Sequence, residues 1–380
     1  MILRAVLLIL PLAGCLYILT GALLVGRHAG RRLQRAAAFP SVSILKPLHG
    51  AEPGLFENLA SFCTQDYPGP VQLVFGVADP DDPAVAVVER LRHAFPGTML
   101  DLVIDSRRHG SNPKISNLVN MAATLRHEII VLSDSDMRVP VDYLSLVVGE
   151  LQRPGTGGVT CLYHGVPAAG LWSRLAALGI DTHFLPGVVT GLALGLAHPC
   201  FGSTIALNRG TFDAIGGAGA FADQLADDHA MGEAVRARGL SVTVPSFTVA
   251  HLCSEDSFRS LWAHELRWAR TIKSVDPAGY AGSAVTHALP LALIAWTLSG
   301  GLPALALAGL AVAARIVLCQ RLERSYGLPR HPYALIPLRD LLSFAVFVAS
   351  YLGHGVNWRG HLYELVADGT LTADRKRQAP

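Results

Sequence analysis

Charge is what this sequence has least of: Asp, Glu, Lys and Arg make up 16% of its 380 residues, against about 25% in an ordinary soluble domain. With 51% hydrophobic residues, that shortfall points to a membrane and excludes a disordered chain. A basic excess is also missing. The formal net charge of +2 is too small for the footprint that holds a protein on nucleic-acid phosphates. Cysteine is sparse and unpatterned. Cys15, Cys63, Cys161, Cys200, Cys253 and Cys319 include no C-x-x-C pair, which suits neither a zinc site nor a disulfide scaffold and fits a reducing compartment. Phosphate loops of the G-x-x-x-x-G-K type, internal repeats and low-complexity segments are absent as well, which removes P-loop enzymes and solenoids.

What is present first is an uncharged run of 21 residues at 5–25, about 31 Å long as a helix and enough to cross a bilayer. Arg27, Arg31, Arg32 and Arg35 follow it and only Arg4 precedes it, so the positive-inside rule places the downstream chain in the cytoplasm. The rival reading is a cleaved signal peptide. Leu12-Ala13-Gly14-Cys15 resembles a lipoprotein processing site, but the apolar run continues ten residues past Cys15, where a mature lipoprotein turns polar. A second apolar block at 284–319 is broken at Ser299-Gly300-Gly301-Leu302-Pro303 and reads as two short spans, or one span and an in-plane helix. A third block occupies 341–352. Arg375-Lys376-Arg377 favours an internal C-terminus, so one block is expected to be interfacial or re-entrant. Residues 187–197 are apolar but too few to span, and are expected in the membrane surface. The resulting division is an N-terminal anchor at 1–30, a cytoplasmic domain at 41–280, membrane helices at 284–352 and a tail at 353–380.

Within 41–280 short apolar runs alternate with amphipathic stretches. Residues 41–45 and 71–77 read as buried strands, 99–104 and 128–132 as further strands, and 55–62, 84–95 and 115–125 as helices. Such alternation predicts an α/β, doubly wound domain, whose ligands bind outside the carboxyl ends of the strands. Polar residues just past strand ends are therefore the candidates. After 128–132 come Ser133-Asp134-Ser135-Asp136. The Asp134 and Asp136 carboxylates offer hard oxygen ligands to Mg²⁺ or Mn²⁺, leaving other positions for diphosphate oxygens. The strand at 71–77 ends in Asp79, Asp81 and Asp82. Asp82 before Pro83 is explained as a helix cap, and Asp79 stays free to bond a base or ribose.

Asn112-Pro113-Lys114 opens a helix, and the chain has only four lysines. Two readings of Lys114 stand: a phosphate contact at a helix N-terminus, or a solvated surface lysine. Asp223, Asp227 and Asp228 precede or begin a helix reaching Arg238. Adjacent carboxylates repel, which raises the pKa of one toward that of a general base, although acids at a helix start are commonly dipole complements. Arg267 beside Trp268 fits either a pyrophosphate clamp or a membrane-interface anchor.

Taken in order, the N-terminal span, SILKPLHG, ADPDDPA, NPKISNL, DSDMRV, ADDHAM, HELRW and a late NWRG at Asn357 to Gly360 resemble the ceramide glucosyltransferase branch of the family 2 glycosyltransferases. The resemblance is strongest to bacterial members associated with hopanoid biosynthesis, and it covers nearly the whole chain. It implies a GT-A fold in the cytoplasm of a bacterium, anchored in the inner membrane, that transfers a sugar with inversion. The donor would be a UDP-sugar, glucose or N-acetylglucosamine, and the acceptor a lipid hydroxyl such as a hopanoid polyol or ceramide. Carried over residue by residue, it implies that Asp79 contacts the nucleotide, Asp134 and Asp136 the metal and diphosphate, Asp228 the acceptor hydroxyl, and Arg267 with Trp268 the pyrophosphate side. The family's last motif begins with Gln or Arg where this chain has His264.

Two rivals come from other classes. A processive polysaccharide synthase shares the aspartates but needs a translocating channel of more spans. A non-catalytic membrane protein on the same fold has no need of acids at three element ends.

Overall fold

The runs at 41–45, 71–77, 99–104 and 128–132 fold as β1 (Val42–Pro47), β2 (Val71–Val77), β3 (Met99–Ile104) and β4 (Ile129–Leu132). The four are mutually parallel, in the order β3-β2-β1-β4. In the computed structural model, which describes residues 2–353, 355–358, 361–365 and 371–373, the sheet continues past β4. The further strands are β5 (Met137–Arg138), β6 (Thr156–Val159), β7 (Leu162–Pro167), β8 (Ile205–Asn208), β9 (Ser241–Thr243) and β10 (Thr248–Cys253). The main sheet has seven strands, β3-β2-β1-β4-β8-β6-β9, and a smaller one is β5-β10-β7. Because β8 runs antiparallel to both β4 and β6, the sheet is mixed rather than wholly parallel. The chain starts at β1, moves outward to β2 and β3, then returns to the other side of β1 for β4. The switch point of the sheet thus lies between the carboxyl ends of β1 and β4, where open α/β sheets bind ligands.

The helix Pro113–Ala122 shows why these segments fold as they do. Ile115, Leu118 and Met121 recur at helical spacing and bury against Leu45, Val74, Ile130 and Leu132 of the sheet. Asn112 caps the helix, its side chain accepting the Lys114 and Ile115 N–H groups at 2.9 and 3.1 Å, and Pro113 takes the first turn, where a missing N–H costs nothing.

The chain divides into two units. One consists of Arg32–Ala168 and His198–Ser254 and holds both sheets; the other consists of Met1–Arg31, Ala169–Ala197 and Glu255–Pro380 and is mainly helical. The expected boundary at 41–280 therefore differs from the observed one, since 169–197 and 255–280 pack with the apolar helices. The reason is visible at 187–197. Residues 187–193 of this run are the end of a helix that starts at Gly170 and passes through a π-helical turn, Ile180–Phe184, to Ala193. Arg174, Asp181 and His183 hide its continuity in sequence. Inside the unit Asp181 bonds His331 (2.9 Å) and His183 bonds Asp340 (3.0 Å).

Among the described residues of this unit, four helices are long and apolar enough to cross a membrane: Leu7–Ala29, Gly170–Ala193, Leu302–Tyr326 and Tyr333–Ser350. A fifth candidate joins Pro277–Thr286 to Ala288–Ser299 across a 66° bend. The break at 299–303 is where it was expected. Gly300 and Gly301 both adopt positive φ there (65° and 96°), a conformation that side chains oppose. Buried charges in the unit are matched, as intramembrane charges must be. Arg315 meets Asp340 at 3.2 Å and the carbonyls of Thr182 and Thr286 at 2.6 and 3.0 Å, and Arg339 pairs with Glu265. All six cysteines are free among the described residues. The basic triplet Arg375-Lys376-Arg377, and Arg359-Gly360 of the NWRG motif, lie outside the described residues.

Candidate active site

The turn after β4 puts Asp134 at the switch point. Its N–H donates to the Gly202 carbonyl (2.9 Å), and its carboxylate pairs with Lys114 Nζ at 2.8 Å. The same ammonium lies 3.2 Å from Asp227, whose other oxygen accepts from the Asn112 amide at 3.3 Å. Burial opposes the charge on Lys114, but Asp134, Asp227 and Asp228 outweigh it and push the pKa up. Lys114 is therefore no solvated surface lysine. Asp228 is the more accessible of the adjacent pair, and its two oxygens accept the N–H groups of Gly202 (3.0 Å) and His229 (2.8 Å). Burial raises the pKa of both acids; Lys114 opposes this at each, as do the two backbone bonds at Asp228. The helix starts at Asp227, so both acids belong to its first turn.

Gly202 ties the two sides together. Its carbonyl serves Asp134 and its N–H serves Asp228, and a side chain there would run into the Asp134 carboxylate and the Lys114 ammonium. Asp136 stands on the other side of the turn. Its Oδ2 is 3.8 Å from His251 Nε2, and its Oδ1 is buried with no hydrogen-bond partner among the described residues. A buried carboxylate oxygen without a donor is costly, and a cation would satisfy it. Among the described residues no group of three His, Cys, Asp or Glu side chains is arranged to hold a metal. Two carboxylates still fit an ion of the Mg²⁺ or Mn²⁺ kind, which usually takes one or two protein carboxylates and completes its shell with water and substrate phosphates.

Asp79 is exposed past the end of β2, its Oδ1 accepting the Asp81 N–H at 2.9 Å. β2 and β4 are two strands apart in the sheet, a separation of about 10 Å that a nucleoside diphosphate can bridge. Asp82 caps as expected, accepting the Ala84 N–H at 2.8 Å, and also takes the Gly50 N–H. Arg267 and Trp268 belong to the helical unit, on the helix Phe258–Val275. Trp268 packs edge-on against His264 (4.4 Å between ring centres), which in turn pairs with Glu255 at 2.5 Å.

A family model for glycosyl transferase family 21 matches residues 6–371, nearly the whole chain. The chain belongs to that family. Membership places it among sugar-transferring enzymes and numbers its family 21, where the sequence resemblance pointed to family 2. Ceramide glucosyltransferase 3 of Caenorhabditis elegans is 23% identical over 357 residues, covering 90% of this chain and 76% of that protein. Ceramide glucosyltransferase 1 of the same organism is 23% identical over 232 residues, 61% of this chain and 49% of that protein. Against the latter, then, the chain spans about half the relative's length. Among solved structures, a mannosyltransferase from Pyrobaculum calidifontis in complex with GDP-Man and Mn²⁺ superposes with a TM-score of 0.58 at 23% identity, over 92% of this chain and 99% of that one. The fold is accordingly the GT-A-like α/β fold, with apolar helices before and after it.

In this family member the sequence reading missed Lys46, Gly202, Tyr163 and His251. Lys46 lies within SILKPLHG and is fully buried. Its ammonium donates to the Asp134 carbonyl (2.6 Å) and Ser133 Oγ (3.1 Å) and stands 3.7 Å over the Phe62 ring. Burial pushes its pKa down to about 7 against the pull of Asp136 and Asp134. A lysine between apolar residues of a strand was the available signal, because a charge is seldom buried without a partner. Tyr163 stacks on His251 (5.4 Å) and meets Phe201 edge-on (6.0 Å), forming a wall that no local motif announces. Lys46→Met is expected to cost about 1–3 kcal/mol, because it leaves a buried carbonyl and hydroxyl unpaired. Chemical denaturation of the purified chain measures this, and an unchanged midpoint would refute the clamp.

Proposed function

We propose that this enzyme transfers a hexose from a nucleoside-diphosphate sugar to a hydroxyl of a membrane lipid, with inversion at the sugar carbon. The observation that carries the reading is the convergence of Asp134, Lys114, Asp227 and Asp228 on Gly202 at the sheet's switch point. One side of Gly202 holds cation-binding and cationic groups suited to a leaving diphosphate. The other holds a half-buried carboxylate suited to an attacking hydroxyl. Asp228 takes the acceptor proton as the hydroxyl oxygen bonds the anomeric carbon, and the bond from that carbon to the diphosphate breaks as the diphosphate departs toward the Lys114 ammonium. Asp134 and Asp136 are the residues that would hold a divalent cation, which would supply charge neutralisation for a leaving diphosphate. Asp79 binds the nucleoside.

The ceramide glucosyltransferase names of the relatives support a lipid acceptor, and the GDP-Man and Mn²⁺ of the structural neighbour are in keeping with a nucleotide sugar and a divalent metal. For this chain we assign UDP-glucose or UDP-N-acetylglucosamine as donor, a hopanoid polyol or ceramide as acceptor, and the bacterial inner membrane as location. Purified full-length protein is incubated with radiolabelled nucleotide sugars and membrane lipid extracts. A single labelled sugar on a lipid, lost in excess chelator and restored by Mg²⁺ or Mn²⁺, is expected; a labelled polymer identifies a processive synthase and overturns the proposal.

The proposed sidedness keeps Arg32–Ala168 and His198–Ser254 in the cytoplasm. On that basis Gly170–Ala193 enters and leaves the bilayer on one side, because the residues flanking it at both ends belong to the same sheet-bearing unit. Its length and apolarity then serve embedding and not crossing. An exposed cysteine engineered at Arg92 is expected to resist an impermeant maleimide in intact cells and to react after lysis. Labelling in intact cells would reverse the orientation.

A further inference from the structure

The polar ends of the helices Ile2–Ala29 and Leu302–Tyr326 hold groups that the proposed sugar transfer does not use. The two helices run parallel: Leu8, Ile9 and Leu12 line one groove with Pro303, Ala306 and Leu310, and further along Gly26 lies against Arg321. Their C-termini therefore emerge on the same face. Arg27, Arg31, Arg321 and Arg324 are exposed there. Gly26 allows the close approach, since a side chain at that position would occupy the place of the Arg321 guanidinium.

Beneath these arginines two polar groups are buried without a hydrogen-bond partner among the described residues. They are Nε2 of His28, a residue only 4% exposed, and the hydroxyl of Tyr326. Both feel the charge of Arg31. The acid on the last turns, Glu323, is already engaged by the His331 N–H and ring (2.9 Å each) and by the Tyr333 hydroxyl (2.9 Å). Arginine near a helix C-terminus complements the helix dipole. That role leaves the two buried polar groups without an explanation, and buried polar groups in native proteins have partners.

We propose that this end of the helix pair binds the phosphate of an anionic phospholipid headgroup. Guanidinium forks match phosphate oxygens in pairs, and Tyr326 with His28 donates to the same group from below. The anion is a lipid's because the groups cap two helices apolar enough to span, at the depth where headgroups stand. The sidedness proposed above places them at the cytoplasmic leaflet, where anionic lipids concentrate.

The test uses the full chain in phosphatidylcholine nanodiscs carrying a trace of spin-labelled phosphatidylglycerol. A saturable immobilised spectral component is expected, displaced by unlabelled phosphatidylglycerol and not by glycerol phosphate or inorganic phosphate at equal concentration. Arg321→Gln with Arg324→Gln is expected to weaken it about tenfold or more, and Tyr326→Phe alone, a change too small to unfold the chain, about three- to tenfold. Arg108→Gln with Arg259→Gln removes two exposed charges far in sequence from these helix ends and is expected to leave it unchanged. Equal loss in both arginine pairs, or no loss in Tyr326→Phe, would reduce the effect to diffuse attraction and overturn the site. Displacement by the soluble phosphates would overturn the assignment to a lipid.

Discussion

Asp228→Asn is expected to lower turnover by roughly 10²–10⁴-fold while leaving nucleotide-sugar binding intact, the range for loss of a positioned general base. Asparagine keeps the size of the side chain and one acceptor oxygen, so one of the two backbone bonds from Gly202 and His229 survives. It cannot accept the hydroxyl proton. Burial holds the Asp228 pKa above the usual carboxylate value, and the base works only when ionised. The rate in the parent enzyme should therefore fall as pH drops through that raised pKa, and the variant should show no such acid limb. Asp227→Asn provides the contrast. Asp227 is buried against Lys114 and Asn112, so its loss falls mainly on stability, by about 1–3 kcal/mol, and far less on turnover. If the two variants exchanged behaviour, Asp227 would be the base. If Asp228→Asn abolished donor binding, the residue would belong to the donor site and the mechanism would need another base.

The second large effect is expected at the aspartates after β4. Asp134→Asn and Asp136→Asn should each remove the metal-stimulated part of the rate, about 10²–10³-fold if the cation contributes several kcal/mol. Each should also abolish Mn²⁺ binding followed by electron paramagnetic resonance. Their stabilities should then differ in a way that reports the geometry. Asp134 is paired with Lys114 at 2.8 Å, so its neutralisation destabilises the chain even without metal. Asp136 has one oxygen that is buried and unpartnered among the described residues and the other 3.8 Å from His251, so replacing that carboxylate by a neutral amide relieves a desolvation cost that offsets the lost pairing and lowers metal-free stability less than Asp134→Asn does. A drop in stability equal to that of Asp134→Asn would show that Asp136 has a structural partner, and full turnover in either variant would remove the metal from the mechanism.

The first half of the α/β unit was legible because its strands are short, mainly apolar runs and its helices carry their own start signals. Asn112-Pro113 is one such signal, and it fixed the start of a helix whose apolar face packs on four strand residues. What could not be read was set by tertiary pairing. β8 lies antiparallel beside β4, a neighbour chosen by the sheet and not by local sequence. The helix Gly170–Ala193 was seen only in part, because its polar residues find partners on elements distant in the chain, Asp181 on His331 and His183 on Asp340. The candidate site divides along the same line. Asp134, Asp136 and Asp228 stand at element ends, where chemistry is expected, whereas Lys46 and Gly202 take their roles from contacts 88 and 68 positions away.

The peptide groups on either side of Gly202 act as a ruler. One receives the Asp134 N–H and the other donates to Asp228, so the spacing between the proposed leaving-group side and the proposed proton-accepting side is set by a single residue of backbone. Neither side can be retuned alone: a shift that widens the donor end carries the base with it. Variation in the sugar accepted by relatives should accordingly arise from residues around this span, such as Tyr163 and Phe201, while the span itself keeps its length.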